Sequence, residues 1–210
     1  MKSRISALFL ALPLSAAFAA EPAAEKSWLD AYNVAWTEPA TKALHSMPCG
    51  GGNIALNVWT TQDDLLFYIA STDSWDGQAQ VKIGRVRVSL SPNPFAGNLR
   101  QELKLADSSI HVSGQAADGT EVKLQIWVDA FQSIVHVNGE ASKPVSVKAA
   151  VEMLSGAQGG FDGDAALWHF RIDGPSPQRR DLIGKNHVDK IADAVPDPMA
   201  NHTWGGRLSG

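Results

Sequence analysis

The strongest constraint on this chain is a succession of short runs in which apolar side chains recur at every second position. Ile54, Leu56 and Val58 alternate with Ala55, Asn57 and Trp59. Gln62-Asp63-Asp64 then supplies turn chemistry, and Leu65–Ala70 resumes as a second extended run, so the pair reads as a hairpin. Similar sets follow at Leu99-Gln101-Leu103-Leu105, Ile110-Val112, Val122-Leu124-Ile126-Val128, Ile134–Val137, Val145-Val147-Ala149-Val151 and Ala166-Trp168-Phe170-Ile172. A period of two places alternate side chains on opposite faces of a strand, whereas a helix needs a period near 3.6. Roughly nine such strands with turn residues between them predict an all-β chain, an antiparallel β-sandwich.

Val81–Ser91 carries an informative defect. Val81 and Ile83 sit on odd positions, while Val86, Val88 and Leu90 sit on even ones. A strand cannot change phase without an extra residue, so a β-bulge is expected at Gly84-Arg85. Only the C-terminal stretch looks helical. Asn186 is placed to cap a helix, Val188, Ile191, Ala192 and Val195 share one face, and Pro196 and Pro198 end it.

The N-terminus reads as an export signal. Lys2 and Arg4 precede the apolar run Ile5–Leu14, and Ala17-Phe18-Ala19 offers small residues for cleavage after Ala19 or Ala20. Pro13 interrupts the run, which falls short of the ~20 residues of a spanning helix. The expected product is periplasmic or extracellular, with no membrane association after cleavage. The chain divides into a signal peptide (1–20), a tether (21–27), a β-sandwich (28–180) and a helical segment (181–210). A net charge of −4 argues against nucleic acid as a partner. Cys49 is the single cysteine, so no internal disulfide is expected. Between Pro48 and Gly50 it reads as a small buried residue before a nucleophile.

No nucleophile elbow, phosphate loop, zinc-binding helix or dinucleotide fingerprint occurs, and the six histidines are scattered. No metal or cofactor is expected. Trp59 and Trp127 fall on the nominally polar faces of their strands, where an indole needs a cover: a second layer, another domain or a sugar. In Ser71–Asp76, Asp73 and Asp76 flank Trp75, as sugar-bonding carboxylates or as turn formers. Asp162-Gly163-Asp164 reads as a turn rather than a calcium loop. His169 and Arg171 lie opposite Trp168 and Phe170, lining a cleft or facing solvent. Gly50-Gly51-Gly52-Asn53 allows positive φ and close backbone approach to a neighbour.

Several blocks carry a family resemblance: Trp36, Ser46-Met47-Pro48-x-Gly50-x-Gly52-Asn53-Ile54, Leu56–Trp59, Leu65–Ile69, Thr72–Trp75, Gly84–Phe95 and Leu167-Trp168-His169-x-Arg171. They resemble the N-terminal domain, of uncharacterised function, of large secreted bacterial proteins related to the α-L-fucosidase family with an (α/α)6 barrel. The resemblance implies a supersandwich-like β-sandwich followed by a helical linker and a barrel holding the catalytic acid and base. By that likeness this chain is an accessory domain of a glycoside hydrolase acting on polysaccharide or oligosaccharide. Its partners are then carbohydrate and a barrel that lies outside it, and it has no catalytic residue of its own. Asn53, Asp73, Trp75, His169 and Arg171 are the candidate carbohydrate or domain-interface contacts. The competing readings are a free-standing carbohydrate-binding module using Trp75 with Trp59 or Trp127, and a small hydrolase using Asp73 or Asp76.

Overall fold

A computed structural model describes residues 4–6, 27–75, 79–154, 156–194 and 196–210. Most of the expected leader and tether, Asp76 and Val195 lie outside the described residues. The strands, in chain order, are β1 (Arg4–Ser6), β2 (Val34–Trp36), β3 (Met47–Gly51), β4 (Ile54–Thr60), β5 (Asp64–Trp75), β6 (Gln80–Ser91) and β7 (Arg100–Lys104). There follow β8 (Ser109–Gln115), β9 (Glu121–Val128), β10 (Val135–Ala141), β11 (Ser146–Glu152), β12 (Gln158–Asp162), β13 (Ala165–Arg171) and β14 (Thr203–Leu208). They form a six-stranded sheet in the order β1-β11-β6-β5-β4-β3, a five-stranded sheet β10-β9-β8-β7-β2, and a three-stranded sheet β12-β13-β14. All pairings are antiparallel. The described residues are mostly β, as the alternation predicts, with one short α-helix among them.

The core lies between the two larger sheets. Leu56, Val58, Leu65, Phe67, Val86, Val88 and Val151 from the first join Ile110, Val112, Val122, Leu124 and Ile126 from the second. Burying each such side chain contributes on the order of 1.5–3 kcal/mol, which is what fixes the register. The one polar residue of its apolar set, Gln101, is buried with Thr60 between these layers. Thr60 Oγ1 donates to Gln101 Oε1 at 2.9 Å, and Gln101 Nε2 donates to the Val58 carbonyl at 3.1 Å. The polar pair is therefore satisfied, as burial requires.

The bulge in β6 falls one residue earlier than the phase change suggests. Ile69 pairs with Gly84 and Ala70 with Lys82, leaving Ile83 as the extra residue. Its carbonyl, freed from the ladder, accepts a 2.7 Å hydrogen bond from Trp168 Nε1. A Cβ at Gly84 would stand 3.0 Å from that same nitrogen, so the glycine makes room for the indole. This contact fastens the small sheet to the large one.

The stretch 181–210 differs from the expected helical run. Ser176 caps a helix α1 (Pro177–Asn186), its Oγ accepting from Arg179 N at 3.2 Å with Pro177 at the first position. Asn186 ends that helix rather than starting one, because His187 turns left-handed at φ 53°. Asp189–Ala194 forms a 3-10 helix, and the Gly-rich tail returns as β14 against β13.

Candidate functional site

One end of the molecule is assembled from four turns. The β3–β4 hairpin closes through Gly52 (φ 55°) and Asn53. The glycines do what their backbone freedom suggests: a Cβ at Gly51 would meet the carbonyl oxygens of Val128 and Asp129 at 2.7 and 2.9 Å. That close approach seats the β9–β10 loop, Asp129–Ile134, beside Asn53. Ser133 Oγ donates to Asn53 Oδ1 at 2.7 Å, while the Asn53 carbonyl accepts from Thr72 N at 2.9 Å.

Thr72 belongs to an irregular stretch near the end of β5. Ser74 Oγ accepts from Ser71 N at 3.1 Å and lies 2.8 and 2.7 Å from the carbonyls of Ser71 and Val81, and Ser71 Oγ accepts from Asp73 N at 3.3 Å. Two serines hold this turn, so the turn-forming role open to Asp73 is taken. Asp73 is exposed, and its carboxylate accepts no hydrogen bond among the described residues. Trp75 is 42% exposed and is pinned by its Nε1, which donates to the Thr72 carbonyl at 2.7 Å.

The fourth element is the turn before β14. A His202 ring nitrogen lies 2.7 Å from the Asp73 carbonyl. The Ile172 amide donates to the His202 carbonyl at 2.9 Å. Arg171 reaches the Asn201 carbonyl, Asn201 Oδ1 and Thr203 Oγ1 at 2.9–3.2 Å, and also pairs with Asp173. Trp204 stacks on Phe170 with ring centres 4.7 Å apart and lies 5.4 Å from the His202 ring. A chain of hydrogen bonds thus runs from Asn53 through Thr72, Asp73 and His202 to the strand that carries Arg171.

Four of the five candidates, Asn53, Asp73, Trp75 and Arg171, are brought together in this way. His169 shares a face of β13 with Arg171 and is exposed, but makes no side-chain hydrogen bond among the described residues. The sequence reading missed His202, Trp204 and Phe131. The first two sit in a Gly-rich tail whose strand character is hidden by Gly205 and Gly206. Phe131 is an isolated aromatic in a polar loop, where alternation says nothing.

The other tryptophan candidates are covered. Trp59 is 3% exposed and lies against Tyr68, with ring centres 5.2 Å apart. The face around Tyr68 is closed by an ionic network in which Glu152 binds both Arg85 and Arg87, and Asp64 binds Arg87 and Ser89. Burial pushes the Glu152 carboxyl upward, but the two guanidinium groups outweigh it and hold the carboxyl below the usual range. Trp127 is half-buried and stacked on its cross-strand neighbour His136 at 3.9 Å. Cys49 is buried, and burial pushes its thiol pKa up; Sγ lies 3.4 Å from the Ser108 carbonyl. It is a packed thiol. Asp162-Gly163-Asp164 is the β12–β13 turn, with Asp162 paired to Arg207 at 2.8 Å.

Next to this end lies an apolar cavity of about 470 Å³, lined by Leu182, Ile183, Val188, Ile191, Pro198 and Met199 among others. Leu182 and Ile191 remain 59% and 55% exposed. The Met199 carbonyl accepts from the His202 amide at 3.1 Å, so the turn that walls the cavity also carries the histidine that meets Asp73.

No curated protein is matched by this sequence. A family model described as a domain of unknown function matches residues 35–162, from β2 through β12, and so includes Asn53, Asp73, Trp75 and the β9–β10 loop. With that match spanning well over half of its 210 residues, the chain belongs to the DUF5703 family of domains of unknown function.

Proposed function

We propose that this chain is an exported accessory domain of a glycoside hydrolase. Its Asn53–Asp73–Trp75 end forms part of a cleft for polysaccharide or oligosaccharide. Its apolar cavity supports a separate catalytic unit, the (α/α)6 barrel suggested by the sequence resemblance. The observation that carries this reading is the Met199–His202 turn. It links an open apolar cavity, through the contact of His202 with the Asp73 carbonyl, to the stretch that carries the exposed Asp73 and Trp75, which is the arrangement a cleft between two domains requires.

The chemistry fits binding better than catalysis. Glycoside cleavage needs two carboxyl groups facing each other across the substrate, and Asp73 on its own supplies one. An exposed indole fixed by its own N–H offers a flat apolar face for sugar C–H groups. Asp73 and Asn53 supply an acceptor and an amide for hydroxyls. A free-standing binding module is less favoured, since Trp59 and Trp127, its further platforms, are covered by Tyr68 and His136.

Affinity electrophoresis on soluble polysaccharides tests the site. The protein is expected to be retarded by at least one polymer, and Trp75→Ala to lose that retardation without loss of fold. Retardation unchanged in Trp75→Ala removes the site from consideration. An aryl-glycoside activity abolished by Asp73→Asn would instead establish a self-sufficient hydrolase. Export adds its own check: the mature N-terminus is expected just after Ala19 or Ala20. Cleavage there also removes β1, leaving a five-stranded sheet with β11 (Ser146–Glu152) at its edge.

A further inference from the structure

The five-stranded sheet ends on β10 (Val135–Ala141), whose far side pairs with no strand among the described residues. Val135, Val137, Gly139 and Ala141 stand opposite Val128, Ile126, Leu124 and Val122 of β9, so they belong to the core-facing side. Ile126 is fully buried there, yet Val137 beside it is 38% exposed. The sandwich is open along this strand. Every second residue of an edge strand also aims its N–H and C=O outward. Apart from the ladder to β9, no backbone hydrogen bond among the described residues involves Val135–Ala141.

Such edges invite pairing, and folded proteins blunt them with proline, lysine, bulges or shortness. The other edges are guarded or weak. β1 and β2 are three residues long, and β3 holds Pro48. β12 and β14 contain Gly159-Gly160 and Gly205-Gly206, which weaken a strand. β11, the edge that remains once the leader is removed, carries Lys148. By contrast β10 has seven residues, no proline and no lysine, and pairs with β9 without a bulge.

Its sequence also says what it accepts. Val135-His136-Val137-Asn138-Gly139-Glu140-Ala141 complements itself when run antiparallel about Asn138. That register sets Val135 against Ala141, His136 against Glu140 and Val137 against Gly139 of a second copy, so the strands overlap over their whole length. Residues directly opposite share a face of the sheet. On the core side, Val137 then meets a glycine, which has no side chain to compete for the space. On the outer side, Glu140 of the second copy stands across from His136, whose Nε2 is shielded from solvent and has no hydrogen-bond partner among the described residues. At the axis two exposed Asn138 side chains meet, each with an amide donor and a carbonyl acceptor. An axis at Val137 or Gly139 would break the His136–Glu140 pair.

We propose that β10 is a self-association edge: a second copy of this chain pairs with it antiparallel about a twofold axis at Asn138, joining two five-stranded sheets into one. The proposal stands apart from the carbohydrate reading, because antiparallel pairing carries the two Asp129–Ile134 loops to opposite ends of the joined strands. Sedimentation velocity on the purified protein tests it, together with cysteine variants. Edge pairing buries a modest area, so the parent is expected to pass from monomer to dimer over about 5–500 µM. Asn138→Lys opposes two lysines across the axis at an exposed position. It should weaken the dimer at least about tenfold and leave the thermal midpoint of dilute samples at the parent value. Directly opposed Cβ atoms lie about 4.5–5.5 Å apart, close to disulfide range. Asn138→Cys should therefore form a disulfide-linked dimer under mild oxidation, and Glu140→Cys alone should not. Cys49, the native cysteine, is buried and does not interfere. A parent that stays monomeric through that concentration range overturns the proposal. So does a dimer that survives Asn138→Lys, or one that links through Glu140→Cys and not through Asn138→Cys.

Discussion

The outer faces of the two large sheets and the loop end of the sandwich both carry aromatic rings, and they treat them in opposite ways. On the sheets, Trp59 lies on Tyr68, Lys82 Nζ sits 3.9 Å from the centre of the same Tyr68 ring, and Trp127 stacks on His136. At the loop end, Trp75 is held by its indole N–H and stays 42% exposed, and Phe131, bonded only through its backbone amide, is 98% exposed. An aromatic on a polar strand face is therefore not a binding platform by position alone. What distinguishes the two regions is whether the neighbours stabilise the ring by covering it or only by holding its base.

Stability measurements should separate the two regions in order. Trp59→Ala removes a buried indole and should cost about 3–5 kcal/mol, read as a large drop in denaturation midpoint. Glu152→Ala leaves Arg85 and Arg87 without their shared carboxylate. It should cost about 1–3 kcal/mol, reduced from the fully buried case because both guanidinium groups are partly solvated. Gln101→Ala strands Thr60 Oγ1 in the core and should cost a similar 1–3 kcal/mol or so. Trp75→Ala should cost under about 1 kcal/mol, and Phe131→Ala about 0.5 kcal/mol or less, as for an ordinary surface position. A Trp75 or Phe131 variant that unfolds the protein would erase the distinction.

Acid sharpens the same comparison. The Glu152 carboxyl is held below its ordinary value by Arg87 and Arg85 against the opposing effect of burial. The Asp107 carboxyl is likewise low, its burial outweighed by the Ser109 hydroxyl and His111. A carboxylate with a lowered folded pKa stabilises the fold above its unfolded pKa of about 4, and that stability drains as pH falls through the folded value. Midpoints should therefore fall below about pH 4.5. Glu152→Gln, less stable at pH 7, should show a shallower acid dependence. An equally steep decline in the variant would mean that the network contributes nothing to the pH profile.

The alternation of Val122, Leu124, Ile126 and Val128 was enough to place β9, because burial on one face demands a period of two. The phase break in β6 was equally readable, and its purpose was not. Only the fold shows that the freed Ile83 carbonyl receives Trp168. Asn53 stood out through the glycines before it, and Asp73 and Trp75 through their unusual order. Their convergence depends on Thr72 pairing with Asn53, a tertiary fact with no local signature. The C-terminal helix was misplaced because the apolar face over Val188–Ile191 outweighed the better cap at Ser176-Pro177. β14 was invisible, since two glycines erase alternation in a six-residue strand.

The central claim is that ligand meets this domain at the loop end and not on its sheets. The seven tryptophan indole N–H resonances provide a direct reading of it during titration with the oligosaccharide of whichever polymer retards the protein. The account predicts that the Trp75 signal moves saturably while those of Trp59, Trp127 and Trp168 stay fixed. Movement of Trp127 or Trp59 with Trp75 unchanged would contradict it.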